Sequence, residues 1–332
     1  MFDGARILIT GGSGSFGTHF VEHIFSAYNP EKVVIFSRGE KAQCEMEDRF
    51  GYYKARMRFI LGSVTDQDRI SRACDGIDII VHAAALKVVP KLEYNPLECH
   101  DVNVVGTRNV INAVIERQVP NAVFIATDKG VMPVNYYGYC KGMAERMWLE
   151  ANYLKPYFKI VRYGNIMGSR GSVINYFMDL KRAGIKEYPL THMDCTRFWV
   201  DYSEAIALLL QAIENKAGVT LASKAKSFKV KDLIKAIYLR ADLKVIGLRE
   251  GEKIHETLVS EYEARRAKEL PTCYRIFPAY SYDDEILYPK EEGSDMKKAV
   301  TSNDPAYLMN VKELRRKVDA LGGPRERSIR HS

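Results

Sequence analysis

Short apolar runs alternate with longer amphipathic stretches through the first half of the chain. Residues 7–10, 33–36, 57–61, 77–83, 122–126 and 158–163 read as strands. Several are apolar at consecutive positions, as strands covered on both faces require. Residues 102–119 place Val110 with Val114 and Ile111 with Ile115 at helical spacing, and Pro120 ends the pattern. Strands and helices in this order predict a doubly wound, parallel-sheet α/β domain. After Gly164 the alternation breaks. Residues 168–172 read as a loop, 173–183 as a helix, and 196–214 as one helix returning to the first domain. Residues 219–258 mix short strands and helices, and 261–332 are polar, Tyr-rich and without a clear pattern.

The first strand runs into Thr10-Gly11-Gly12-Ser13-Gly14-Ser15-Phe16-Gly17 and then a helix. This is the context a dinucleotide site requires. Gly11 permits the tight turn, Gly14 lets backbone approach a pyrophosphate, and Gly17 lets helix pack on strand. The helix N-terminus faces the phosphates with its partial positive charge. The second strand ends in Ser37-Arg38-Gly39-Glu40-Lys41. Ser37, Arg38 and Lys41 suit the 2′-phosphate of NADP, while Glu40 leaves NAD open.

Residues 127–141 open another helix and carry the most chemistry. Asp128, an acid, stands beside Lys129, a potential base, and Tyr137 and Lys141 form a Tyr-x-x-x-Lys pair. Together they can move a proton, a hydride and a water molecule in one pocket; a simple alcohol dehydrogenase needs only the second pair. Lys87 follows a sheet strand, within reach of cofactor or substrate. Arg170, Arg197 and Arg249 lie in loops whose guanidinium forks suit a diphosphate, Glu252 suits a ribose hydroxyl, and Asn165 suits a sugar or phosphate.

Composition narrows the setting. The chain has 332 residues, 46% hydrophobic, enough for one large or two intimate domains. No apolar run approaches the ~20 residues of a membrane span, and the first strand begins almost at once, so a cytoplasmic protein is expected. Cys44, Cys74, Cys99, Cys140, Cys195 and Cys273 lack Cys-x-x-Cys spacing and read as reduced thiols. His19 and His23 sit at i,i+4 without a further ligand nearby, so no metal site is expected. The net charge is +7, with Lys224, Lys226, Lys229, Lys231, Lys235 and Lys244 in one stretch. No nucleic-acid-binding motif accompanies it, so the charge reads as solvated faces and a field attracting an anionic substrate.

These residues together resemble the extended short-chain dehydrogenase/reductases, and within them the soluble UDP-N-acetylglucosamine 4,6-dehydratases of pseudaminic acid and capsule-sugar synthesis. The matching stretches are residues 9–17, His82-Ala83-Ala84-Ala85-Leu86-Lys87, Thr127-Asp128-Lys129, Arg162-Tyr163-Gly164-Asn165, residues 168–173, Thr196-Arg197-Phe198-Trp199 and residues 251–256. The resemblance implies a Rossmann domain over 1–165 plus 196–217 that binds NADP, and a smaller α/β nucleotide-sugar domain over 166–195 plus 218–332. It implies cofactor contacts from Thr10, Gly11, Ser13, Gly14, Ser15, Phe16, Gly17, Ser37, Arg38, Lys41, Ser63, Val64, Ala83, Ala84, Ala85, Lys87, Tyr137 and Lys141. Substrate contacts would come from Lys87, Asn165, Arg170, Ser172, Val173, Arg197, Arg249 and Glu252.

The implied reaction is C4 oxidation, loss of water across C5 and C6, and hydride return to C6. Its 5-inverted product is UDP-2-acetamido-2,6-dideoxy-β-L-arabino-hex-4-ulose. Thr127 would bond the 4-oxygen, Tyr137 would take the 4-hydroxyl proton, and Lys141 would hold the ribose. Lys129, made neutral by burial beside a positive cofactor, would remove H5, and Asp128 would protonate the leaving hydroxyl. The cofactor would stay bound and be regenerated. Ser63, Met132, Tyr139, Cys140, His192, Cys195 and residues 223–226 depart from the family pattern. A 4-epimerase, a 5,6-ene-forming dehydratase and a non-catalytic NADP-binding protein remain alternatives. The family also implies at least a homodimer, pairing helices at 102–119 and 138–154, the latter through Met143, Met147 and Trp148.

Overall fold

The computed structural model describes residues 1–154, 157–215, 218–279 and 293–322. Strand β1 (Arg6–Thr10) leads through the glycine turn into α1 (Ser15–Ala27). Then come β2 (Lys32–Ser37), α2 (Glu40–Arg49), β3 (Met57–Leu61), α3 (Gln67–Ala73) and β4 (Ile79–His82). After the short helix α4 (Val89–Tyr94), α5 (Pro96–His100) passes through a π-helical turn at Asp101–Val105 into α6 (Gly106–Glu116). The helix expected over 102–119 thus starts earlier, with Pro96 in its first turn, where no backbone donor is needed. It stops before Gln118, whose φ of 51° cannot continue a helix.

Strand β5 (Asn121–Thr127), helix α7 (Tyr136–Glu150) and strand β6 (Tyr157–Tyr163) follow. The chain continues through β7 (Asn165–Ile166), α8 (Val173–Arg182), β8 (Glu187–Leu190), β9 (Thr196–Val200) and α9 (Tyr202–Glu214). Next are β10 (Thr220–Ser223), β11 (Lys226–Lys229), α10 (Val230–Ile237), β12 (Asp242–Val245) and β13 (Thr257–Val259). The last are α11 (Glu261–Ala264), β14 (Ala267–Glu269), β15 (Cys273–Ile276), β16 (Ser294–Asp295), β17 (Val300–Thr301) and α12 (Val311–Gly322).

The large sheet has ten strands in the order β16-β14-β15-β10-β6-β5-β4-β1-β2-β3. From β3 to β10 the pairs are parallel; β15, β14 and β16 extend the edge antiparallel. The order reverses at β1, so the crevice beyond β1 and β4 is the topological switch point where such sheets bind ligands. One apolar core lies on each sheet face, the second centred on Trp148, which stacks with Phe124 and His82. A third core fills the smaller lobe, where α10 packs on α8 and α12 and β9 lies between β7 and β11.

Three expectations need correction. Residues 196–214 are not one helix: Thr196–Val200 is a fully buried strand, and the helix begins at Tyr202. The β-branched and aromatic residues favour the strand, and an Asp201/Glu204 capping box starts the helix. Residues 220–223, 267–269, 273–276 and 294–295, assigned to the smaller lobe, extend the large sheet. Trp148, offered as an interface residue, is wholly buried and donates its indole N–H to Lys159 O. Residues 280–292 and the Arg-rich tail 323–332 lie outside the described residues.

Candidate active site

The glycine turn is assembled from backbone. Gly11 has φ +66°, and a Cβ there would stand 2.8 Å from the Ala84 backbone. At Gly17 a Cβ would meet the carbonyl oxygen of Gly12 at 2.2 Å. The turn, β2, and the loops after β3 and β4 enclose a cleft of about 520 Å³. Gly11, Ser13, Gly14, Ser37, Arg38, Val64, Ala84 and Ala85 line it, as expected. So does Arg170, which the sequence assigned to the substrate. Its guanidinium donates to Ser13 O at 2.7 Å, and its backbone N–H to Ser15 Oγ at 3.2 Å. Arg38 and Arg170 are the charged residues among the lining, which includes no carboxylate; Arg38 is paired outside it with Glu98 at 3.4 Å.

Of the other expected cofactor residues, Thr10 Oγ1 bonds His82 Nδ1 at 2.6 Å and accepts from the Ala84 N–H. Ala83 N–H donates to Thr10 O. Ser13 and Ser37 share a hydroxyl bond of 2.8 Å, Phe16 packs against Phe20 and Tyr163, and Ser63 turns its hydroxyl to Thr65. Lys41 is a correction: it stands in the first turn of α2, 91% exposed and directed at Glu45, and does not line the cleft. Lys87 is exposed overall; partial burial of its amine and the Arg170 charge lower its proton affinity.

Two residues the sequence reading passed over shape this end. His82 is buried, and burial drops its pKa to about 3, so it is a neutral link between Thr10 and Thr107. Asn103, in the π-helical turn, bonds both the N–H and the carbonyl of Leu86, fixing the loop that carries Ala84 to Lys87. A π-turn projects one side chain out of helical register, and here that side chain holds the crevice wall.

At the end of β5 the side chains take over. Asp128 is fully buried, and Lys129 Nζ lies 3.0 Å from Asp128 Oδ1, 2.9 Å from Asn165 Oδ1 and 3.3 Å from Glu256 Oε1. Thr127 Oγ1 donates to Asp128 Oδ1 and accepts from the Lys129 N–H. The second carboxylate was not foreseen, though Glu256 closes the stretch 251–256. It corrects the charge expected for Lys129. Burial alone would lower that amine's proton affinity, but Asp128 and Glu256 outweigh it and raise it, so Lys129 rests as an ammonium. Burial, then the Glu256 charge, raises the proton affinity of Asp128 above that of an ordinary carboxyl against the pull of Lys129, which readies it to accept a proton.

Tyr137 is buried in the first turn of α7. Burial raises its pKa to about 12, against the Lys129 charge and a Thr127 bond that favour the phenolate. Lys141 does not touch it: Nζ donates to Ile125 O at 2.7 Å and lies 3.7 Å from the Phe124 ring centroid. Burial lowers the Lys141 pKa to about 7, and Glu145 works against that. Behind α7, Arg162 binds Glu145 at 2.5 Å and Glu263 at 2.9 Å, tying the helix to the far side of the sheet. Cys99 and Cys140 pack beside Tyr137, and burial pushes the Cys99 thiol up to about 12.

The remaining substrate candidates divide. Arg197 is buried and committed to Thr196 O, Ile254 O and Glu252 Oε1. Glu252 also accepts from Thr191. Arg249 is exposed, Ser172 caps α8 with its hydroxyl buried and unpartnered, and Val173 packs on the smaller core.

A sequence profile described as "Polysaccharide biosynthesis protein" matches residues 7–278. The chain belongs to that family. This member is 38% identical, over 290 residues covering 86% of each protein, to the UDP-N-acetylglucosamine 4,6-dehydratase (inverting) of Campylobacter jejuni. It is 34% identical to the UDP-glucose 4-epimerase of Rickettsia canadensis over 83% of this chain and 84% of that one. The crystal structure of Pen from Bacillus thuringiensis superposes with a TM-score of 0.88 at 31% identity, covering 97% of this chain and 99% of that one. The family member is thus an extended short-chain dehydrogenase/reductase of the nucleotide-sugar dehydratase and epimerase type. Its cleft fits a nicotinamide dinucleotide: a positive-φ glycine, a helix N-terminus and two arginines face the space a pyrophosphate and ribose would take.

Proposed function

We propose that the protein is a UDP-N-acetylglucosamine 4,6-dehydratase of the inverting kind, with NADP held through the whole cycle. The observation that carries the reading is the pair of a buried Asp128 and a part-buried Lys129 beside Tyr137. Oxidation and reduction at C4 alone need Tyr137; removing H5 and expelling the 6-hydroxyl need a base and an acid as well. Arg38, together with the absence of a carboxylate among the cleft lining, supports NADP over NAD.

A bound nicotinamide supplies the hydride acceptor for C4 and the hydride donor for C6. Tyr137 takes the 4-hydroxyl proton, helped by the Lys129 charge and Thr127, which favour its phenolate. Thr127 then bonds the C4 oxygen. Lys129 passes a proton to Asp128 across 3.0 Å and, now neutral, takes H5. Asp128 protonates the departing hydroxyl, and a proton delivered to C5 from the face opposite Lys129 gives inversion. Lys141 holds the ribose. Asn165, Ser172, Val173, Arg249 and Glu252 would contact the nucleotide sugar, and Arg170 and Lys87 would hold phosphate oxygens.

The likeness to UDP-glucose 4-epimerases favours a second reading, 4-epimerisation without elimination. Proton NMR with UDP-N-acetylglucosamine in D₂O, adding no cofactor, separates them. A 4-keto-6-deoxy product with deuterium at C5 is expected, its couplings reporting the inversion. UDP-N-acetylgalactosamine would sink the dehydratase reading, and a 5,6-ene would show that hydride return fails. We also propose a homodimer through the face where Tyr139 and Met143 of α7 stand exposed near Tyr94 and Leu97. Light scattering at monomer mass would overturn that.

A further inference from the structure

Glu256 is carried in from the smaller lobe and has no part in the steps above. It is 3% exposed, yet its Oε2 has no hydrogen-bond partner, and neither does Oδ2 of Asp128. Its backbone is clamped: Glu256 N–H donates to Ser302 Oγ at 2.8 Å, and Ser302 N–H donates to Glu256 O at 2.8 Å. Ser302 is bonded in turn to Thr196 Oγ1 at 2.6 Å. The charged groups facing the carboxylate are Lys129 at 3.3 Å, Arg197 at 3.9 Å and Lys253 at 4.0 Å. Lys253 Nζ donates to Val131 O, and the Arg197 guanidinium is held by Glu252 and backbone. Lys129 is the cation among them whose charge the proposed reaction changes, and its charge also acts on Asp128 and Tyr137.

We propose that Glu256 is a positioning residue for the elimination: its fixed negative charge holds the Lys129 amine against Asn165 and stabilises the ammonium that forms as Lys129 takes the C5 proton. The inference rests on the dehydratase reading. The protons balance. The set starts as Lys129 ammonium, Asp128 carboxylate and Glu256 carboxylate. Transfer from Lys129 to Asp128 gives amine and acid. The C5–H bond then breaks toward Lys129, the C6–O bond breaks with the Asp128 proton leaving in water, and C5=C6 forms. Lys129 is again an ammonium and Asp128 again a carboxylate, with Glu256 ionised throughout. A charge 3.3 Å from the amine acts most strongly where water is excluded. The directions of the shifts agree: burial works to raise the proton affinity of Glu256, but Lys129, Arg197 and Lys253 overcome it and keep the carboxylate ionised.

The test is Glu256→Gln in the cofactor-loaded protein, with UDP-N-acetylglucosamine. Transient reduction of the nicotinamide, read in the near ultraviolet, should stay within about twofold of wild type, and KM likewise. C5 deuterium exchange and turnover should fall by about ten- to a hundredfold. Losing the anion lowers the proton affinity of Lys129, so the pH limb of kcat governed by the Lys129–Asp128 set should move to lower pH, by about one unit. Glu256→Asp keeps the charge and should leave that limb in place while recovering part of the turnover. It also carries the test if the Gln variant does not fold. Equal loss of C4 oxidation and C5 exchange, or an unmoved limb in Glu256→Gln, would overturn the inference while leaving the dehydratase reading intact. A wild-type protein that gives no C5 exchange would sink both.

Discussion

The glycine turn and the Asp128–Lys129 cluster both follow the carboxyl ends of parallel strands, β1 and β5, but are built in different ways. The turn is contiguous backbone: Gly11 at positive φ, Gly17 against Gly12, and a helix N-terminus follow one another within a few residues. The cluster is a convergence of side chains. Asp128 and Lys129 come from the end of β5, Asn165 from β7 and Glu256 from the stretch before β13, itself hooked by Ser302. A contiguous backbone device is fixed by residue type, so size changes destroy it. A convergent one is fixed by charge, so isosteric neutral changes disarm it and leave the fold intact.

That contrast is testable from both sides. On the cluster side, Lys129→Ala should cut dehydration by about a thousandfold while leaving bound cofactor unchanged, read by NMR of the product and by nucleotide content after denaturation. An epimerase would keep its activity in this variant. On the turn side, Gly17→Ala forces a Cβ onto the Gly12 backbone. It should empty the cleft of cofactor and cost about 2 kcal/mol of stability, seen in thermal melts. Arg38→Ser should lower the preference for NADP over NAD about tenfold, a modest effect because the Arg38 side chain is half exposed and paired with Glu98.

Lys141 offers a pH probe between the two regions. Its folded pKa of about 7 lies below the usual lysine value, so between pH 7 and 10.5 the unfolded chain binds more protons there. In nucleotide-free protein, stability from this site should therefore rise with pH across that window, relative to Lys141→Met; parallel melting curves for the two proteins would refute it. The smallest change expected is at Met132, φ 47°, just past the cluster. Asn tolerates that conformation better, so Met132→Asn should gain about 0.5 kcal/mol with activity kept.

How far each region could be read from the sequence follows the same division. Residues 9–17 and the order of strands were legible because glycine placement and apolar periodicity are local properties. Thr127, Asp128, Lys129 and Tyr137 were legible as residue types in one short stretch. Their charge state was not. The sequence suggested a Lys129 amine neutralised by burial, whereas Asp128 beside it and Glu256, brought in from far along the chain, together keep it charged. Arg170 and Arg197 show the same limit: an arginine near the crevice announces phosphate chemistry, but its partners, Ser13 O for one and Glu252 for the other, depend on tertiary contacts. The strand at 196–200 was lost because its apolar residues were merged with the helix that follows, although Asp201 and Glu204 mark the boundary.

The hook at Ser302 also sets an order of assembly. Ser302 sits wholly buried between Thr196 and Glu256, joining a late segment of the chain to β9 and to the carboxylate beside Lys129. During synthesis the glycine turn is made well before Ser302. A growing chain can therefore close its nucleotide pocket while the acid–base cluster still lacks a wall. A chain cut short of Ser302 would keep every residue that lines the nucleotide cleft and lose the clamp on Glu256.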